Sequence, residues 1–148
     1  MYIIRILRIT MVHVRNKKLL HPELCYTLNG IFFKVHNELG RFKNEKQYGD
    51  AVEDLLKEKG IVYIREFRLP KSFPAEFAGR NIVDFLVEKT VVVEIKTKIR
   101  LGGEEYYQVR RYLDALGCEL GILVNFRRYS IVPKRILNTK LHSEYSDN

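Results

Sequence analysis

NIVDFLVEKTVVVEIKTK (residues 81–98) contains two apolar, β-rich runs, and each holds one carboxylate, Asp84 or Glu94, where a buried strand would normally carry another valine. Glu88, Lys89 and Thr90 separate the runs, a gap short enough for a hairpin, although no glycine marks the turn. With residues 88 to 90 as the turn, Val87 faces Val91, and counting outward sets Asp84 opposite Glu94. Alternation then gives Lys96 the face of Glu94 and turns Phe85 and Ile95 to the other side. Like charges facing each other across a sheet destabilise it by roughly 0.2–1 kcal/mol, and by more when partly buried. A divalent cation compensates such a pair: Mg2+ and Mn2+ take hard oxygen ligands, and Mg2+ is commonly held by one or two carboxylates with waters and substrate phosphates. A neighbouring lysine can stabilise the charge of a pentavalent phosphorane, or orient and deprotonate the attacking water. The same spacing also fits a solvated hairpin face on which Asp84 or Glu94 pairs with Lys96, Lys98 or Arg80, and spacing alone does not choose.

Upstream, Leu24, Leu28, Ile31, Phe32, Val35 and Leu39 recur at three- and four-residue intervals, predicting a helix from about Pro22 to Leu39 that Gly40 ends. NEKQYGDAVEDLLKEKG (44–60) predicts a second helix, with Asn44 as N-cap, a Tyr48/Val52/Leu55 stripe and Gly60 as its stop. IVYIREFRLP (61–70) reads as a strand, and KSFPAEFAGRN (71–81) as a loop with aromatic and basic content. Downstream, a third helix is expected from about Glu104 to Leu116, before Gly117. LGILVNF (120–126) reads as a strand covered on both faces, and YSIVPKRIL (129–137) as a last strand whose Pro133 points to an edge.

A chain of 148 residues with 46% hydrophobic and 11% aromatic content is enough for one ordinary domain with a real core. Lys and Arg outnumber Asp and Glu by 26 to 18, a net charge of +8 that favours a polyanionic partner, nucleic acid foremost. Cys25 and Cys118 lack CxxC spacing and read as free core thiols of a reducing compartment. His13, His21, His36 and His142 are scattered, so a zinc site has little support. No apolar run is long enough to cross a bilayer. Arg5 and Arg8 interrupt the apolar opening MYIIRILRITMVHVRNKK, no signal cleavage site follows, and Met11 offers a second start; the reading is a cytoplasmic protein that does not enter membranes.

Two further features bear on the hairpin. In EEYYQVRRYLDALG (104–117), Gln108 and Tyr112 are four apart and neighbours on one helical face. Gln108 is suited to a phosphate or a metal-bound water and Tyr112 to a substrate backbone; alternatively Tyr112 is core and Gln108 faces solvent. Arg110 and Arg111 read as phosphate-attracting or solvated surface. Glu45, near the start of the second helix, suits the helix dipole, and becomes a third acidic ligand if that helix packs end-on toward the hairpin.

Taken together, VHNELGRFKNEKQY (35–48) with Glu45 and Tyr48 as E-x-x-Y, VDFLV and VVVEIK in the hairpin, YQVRRYL (107–113) and LGILVNF resemble the GxxExxY proteins of the PD-(D/E)XK nuclease superfamily, in its RecB-like and lambda-exonuclease-like branch. The resemblance implies an α/β, restriction-endonuclease-like core with a central mixed sheet flanked by helices. It also implies metal-dependent phosphodiester hydrolysis with Mg2+ or Mn2+, in which Asp84, Glu94 and Glu45 are ligands, Lys96 is the catalytic lysine, and Gln108 and Tyr112 form the Q-x-x-x-Y pair. Phe42 stands where the family's naming glycine sits, and Val83 replaces the proline of the PD pair; neither change removes a reactive group.

The resulting expectation is a nuclease-like domain over 22–137, between an N-terminal extension (1–21) expected to be poorly ordered and a polar tail (138–148). Its leading function is a Mg2+-dependent nuclease acting on DNA, with Arg80, Lys98, Arg110, Arg111 and Tyr112 contacting nucleic acid, and a dimeric or toroidal assembly open by family analogy. The alternatives are a catalytically silent nucleic-acid-binding accessory protein, which would add Arg100, Arg127 and Arg128 to the gripping surface, and an interaction module whose hairpin acids are merely ion-paired.

Overall fold

The structure, a computed structural model, describes residues 21–140; the expectations for the opening segment through residue 20, including His13, and for 141–148, including His142, lie outside the described residues. Helix α1 spans Pro22–Leu39 and α2 spans Glu45–Glu58. The strands are β1 (Tyr63–Arg68), β2 (Ile82–Val87) and β3 (Val91–Lys96); α3 (Gly103–Leu116), β4 (Leu120–Asn125) and β5 (Lys134–Leu137) complete the domain.

The local signals act as their chemistry dictates. Gly40 takes φ 72° behind α1, a conformation open to glycine without a Cβ penalty. Asn44 accepts from the Gln47 amide while Gln47 returns a bond to Asn44 N–H, a capping box that opens α2. The hairpin turn closes without glycine: Glu88 and Lys89 take φ 50° and 57°, and Thr90 N–H donates to Val87 O at 3.0 Å. The last strand is shorter than its sequence pattern, starting just after Pro133 and lying at the sheet edge.

The five strands lie in the order β1-β2-β3-β4-β5, antiparallel except for the parallel pair β3–β4. That parallel step needs a crossover, and α3 supplies it. The sheet is therefore buried on both sides. Against one face, α1 and α2 close a core around Leu28, Phe32, Tyr48, Leu56, Phe85, Ile95 and Phe126. Against the other, α3 packs Val109, Tyr112 and Leu113 onto Val83, Val92 and Leu123. This is the mixed-sheet α/β architecture that the family resemblance implied. Cys25 and Cys118 are buried, one in each core. Asn138, where the polar tail was expected to begin, is itself buried, donating from Nδ2 to Cys118 O.

The approach of α3 to the sheet depends on Gly121 in β4. A Cβ built there would lie 2.5 Å from Val109 Cγ1, closer than carbon atoms tolerate. Gly121→Ala is expected to destabilise the domain by about 1–3 kcal/mol through overpacking. Adding Val109→Ala should recover part of the loss, so the double variant unfolds at a higher denaturant concentration than the two single losses summed would give.

Candidate active site

Asp84 and Glu94 meet as the hairpin count requires, but not as an ordinary ladder pair. Backbone pairing of β2 with β3 runs Val87↔Val91, Leu86↔Val92 and Phe85↔Val93, and stops one residue short of them. There the side chains take over the backbone's role. Glu94 Oε1 accepts from Asp84 N–H at 3.0 Å, and Asp84 Oδ2 accepts from Ile95 N–H at 2.7 Å. The solvated-hairpin alternative does not hold for Glu94, which is 2% exposed.

On the other side of Asp84 the sheet is opened by β1. The register from Arg65↔Phe85 to Phe67↔Val83 sets Glu66 opposite Asp84, yet Glu66 takes φ 52°, an uncommon conformation for a residue with a Cβ. Side-chain alternation changes phase across this point. Phe67 and Val83 join the α3-side core, whereas Tyr63 and Phe85 pack on the α1/α2 side. Asp84 is thereby released from both neighbouring ladders, and it lines a cavity of about 120 Å3 together with Glu45, Lys46, Gly49, Arg65, Glu66, Phe85 and Ile95.

Burial pushes the Asp84 carboxyl upward from its ordinary range, with the charge of Glu45 adding and that of Lys96 opposing. Glu94 is pushed up to about 9, chiefly by burial and then by the Asp84 charge. The physical meaning is that two carboxylates in this dry position are short of positive charge. Lys96 Nζ stands 3.9 Å from Glu94 Oε2 and supplies part of it.

Glu45 begins α2, and the end of that helix does turn toward the hairpin: Glu45 shares the cavity of Asp84. Tyr48 explains how. It lies one turn after Glu45, fully buried, with its ring stacked on Phe126 at 4.3 Å. Its hydroxyl donates to Gly40 O and accepts from Lys43 N–H, clamping the loop that aims Glu45. Among the described residues no three His, Cys, Asp or Glu side chains stand close enough to hold one ion by themselves, so Asp84 and Glu94 form a two-carboxylate set with Glu45 nearby.

Gln108 and Tyr112 do share a face of α3, with Gln108 Nε2 donating to the Tyr112 hydroxyl at 3.0 Å. Tyr112 is a core residue, 3% exposed, and its hydroxyl feels the charges of Glu94 and Asp84. Of the basic residues, Lys98 pairs with Glu105, whose other oxygen caps Gly102 N–H at the start of α3. Arg110 donates to Thr139 and lies over the Tyr106 ring. Arg80 stacks on the exposed Phe77, while Arg111 is exposed on α3.

Three residues escaped the sequence reading. Asn125, at the end of β4 beside Lys96, accepts from Lys98 N–H and Arg127 N–H and donates to Lys98 O, fixing the chain that leaves β3. Arg65 binds Asp50 at 2.6 Å and lies against Gly49, where a Cβ would come within 2.7 Å of Nη2. Glu66 is the third. Only the polar Asn125 in an otherwise apolar strand carried a signal; the roles of Arg65 and Glu66 come from tertiary placement.

A family model described as the PD-(D/E)XK nuclease superfamily matches residues 22–136. Among solved structures, the chain is similar to SSO0001, at 19% identity and a TM-score of 0.49, covering 88% of this chain and 61% of that one. It is also similar to an alkaline exonuclease (LHK-Exo) from Laribacter hongkongensis, at 17% identity and a TM-score of 0.44, covering 62% of this chain and 55% of that one. The chain thus spans less than two thirds of either neighbour. A search of curated proteins returns no match.

The raised Glu94 pKa sets a sign for stability. Between the ordinary value of 4.5 and about 9, the folded protein holds a proton that the unfolded chain has released, so stability falls as pH rises through this window. In EDTA, Glu94→Gln is expected to flatten that decline, its melting temperature gaining on the wild type toward pH 9 and losing the advantage below pH 4.5. Thermal melts across that range check it.

Proposed function

The chain belongs to the PD-(D/E)XK nuclease superfamily, and we propose that it is a metal-dependent nuclease that hydrolyses phosphodiester bonds in DNA. The observation that carries this reading is the buried pair of carboxyls, each drawn out of the β-ladder to bond the opposite strand's N–H, with an ammonium group beside them. A fold that needed only stability would fill these positions with valine. Within the superfamily, the E-x-x-Y pair of Glu45 and Tyr48 supports assignment to the GxxExxY proteins, in the RecB-like and lambda-exonuclease-like branch.

The donor set fits Mg2+ or Mn2+: two hard-oxygen carboxylates in a position short of positive charge, with the remaining ligands left to water and substrate phosphate. When bound, such an ion supplies Lewis-acid stabilisation of the phosphoryl charge. Asp84 and Glu94 would hold it, with Glu45, which lines the same cavity as Asp84, as the third acid. Lys96 stabilises the developing negative charge or orients the attacking water, and Tyr112 acts behind Gln108 by fixing its amide toward the substrate. The net charge of +8, with Arg80 and Arg111 exposed, favours the nucleic-acid backbone.

A second reading rests on a different observation. Both carboxyls accept main-chain N–H groups of the opposite strand, which a catalytically silent nucleic-acid-binding accessory protein would also accommodate. The two readings part in a direct assay. The wild type is expected to cleave single- or double-stranded DNA in Mg2+ or Mn2+, and Asp84→Ala and Lys96→Ala to lower the rate at least about 100-fold. Equal residual cleavage by all three proteins, with salt-sensitive binding retained in EDTA, would favour the silent protein.

A further inference from the structure

Beside the carboxylate site lies a second feature that the hydrolysis does not use. Phe42, in the loop between α1 and α2, is 76% exposed. Two guanidinium groups approach its ring: Arg41 Cζ lies 5.1 Å and Arg127 Cζ 5.7 Å from the centroid. The arrangement is braced from below. Arg41 Nε donates to Arg127 O at 2.8 Å, which ties the α1–α2 loop to the β4–β5 loop, and His36 Nε2 bonds Arg128 O at 2.9 Å. Arg127 Nε is buried without a hydrogen-bond partner, while the guanidinium it belongs to lies against the Phe42 ring.

The patch is joined to the site by two short lengths of chain. Phe42 precedes Glu45 by three residues, at most about 11 Å of extended backbone. Arg127 follows Asn125 by two, and Asn125 pairs with Lys96 in the ladder and holds Lys98 through its side chain. A ring 76% exposed, with two guanidinium groups close to it, suits a ligand that presents a flat π-face together with negative charge. Nucleotides have both. A duplex keeps its base faces stacked inside, whereas an unpaired base offers its face to the ring and its phosphate to the arginines.

We propose that Phe42, flanked by Arg41 and Arg127, is a stacking platform for an unpaired base, and that it gives the protein a preference for single-stranded segments of DNA next to the carboxylate site. This deepens the nuclease reading and rests on it for its substrate class, yet binding can be measured without turnover.

The experiment is fluorescence anisotropy in EDTA with labelled oligo(dT) and a labelled duplex hairpin. The wild type should bind oligo(dT) more tightly than the duplex. Phe42→Ala should weaken oligo(dT) binding about 5- to 100-fold and leave the duplex affinity and the melting temperature unchanged. Tyr26→Ala, removing an exposed aromatic ten residues before His36 on α1, should change neither affinity. The chain contains no tryptophan, so Phe42→Trp installs a single reporter whose emission should be quenched by oligo(dT) and not by the duplex. Unchanged oligo(dT) affinity in Phe42→Ala, equal loss for both ligands, or unquenched emission in Phe42→Trp would overturn the platform. Cleavage with a Phe42-independent affinity sinks this inference alone; Phe42-dependent binding with no cleavage sinks the nuclease reading and leaves the platform standing.

Discussion

Two acid groups in a dry sheet have to find partners, and the rest of this structure is arranged around how they do so. A valine at either position would have let the β2–β3 ladder continue. Instead the ladder ends at Phe85↔Val93, and each carboxyl accepts an N–H from the other strand. Two hydrogen bonds replace lost backbone pairing, but they do not remove the mutual repulsion or the desolvation of two charges, which the upward shifts of both groups record. The protein gives up stability here and recovers it elsewhere, in two cores that cover both faces of the sheet.

Those cores also brace the groups around the site. Glu45 sits on a helix whose first turn is held by a capping box and whose preceding loop is clamped by the Tyr48 hydroxyl, itself fixed by stacking on Phe126. Phe126 follows Asn125, and its N–H bonds Lys96 O, so one aromatic contact links the α2 side of the site to the exit of β3. Glu105 plays a similar part on the far side, held down to about 2 by Lys98 and the Gly102 amide while it opens α3 toward Gln108. Groups that touch no substrate thus set the angles of those proposed to do so.

Much of this was legible in order along the chain. The α1 and α2 stripes, the Asn44 cap and the Gly40 and Gly117 stops act through neighbours a few residues apart, so their pattern survives in sequence. The hairpin register was legible for the same reason, since a three-residue gap leaves a single symmetric count. The Gln108–Tyr112 pair was legible as helical neighbours, but not the fate of Tyr112, because spacing along α3 does not say how deeply the helix packs; the collision distance at Gly121 does. The basic residues were hardest to read. Lys98 and Arg110 found partners in Glu105 and Thr139, which sequence separation hides.

What the sequence by itself determined is the set of elements and the meeting of Asp84 with Glu94, because both follow from periodicity and from a turn only three residues long. What only the tertiary structure decided is how that meeting is made chemically special. The positive φ of Glu66 frees Asp84 from β1, α2 brings Glu45 to the same cavity, and Asn125 arrives from a strand that pairs with β3 only through a helical crossover. Each of these depends on contacts between residues distant along the chain, and such contacts are selected by packing rather than by local preference.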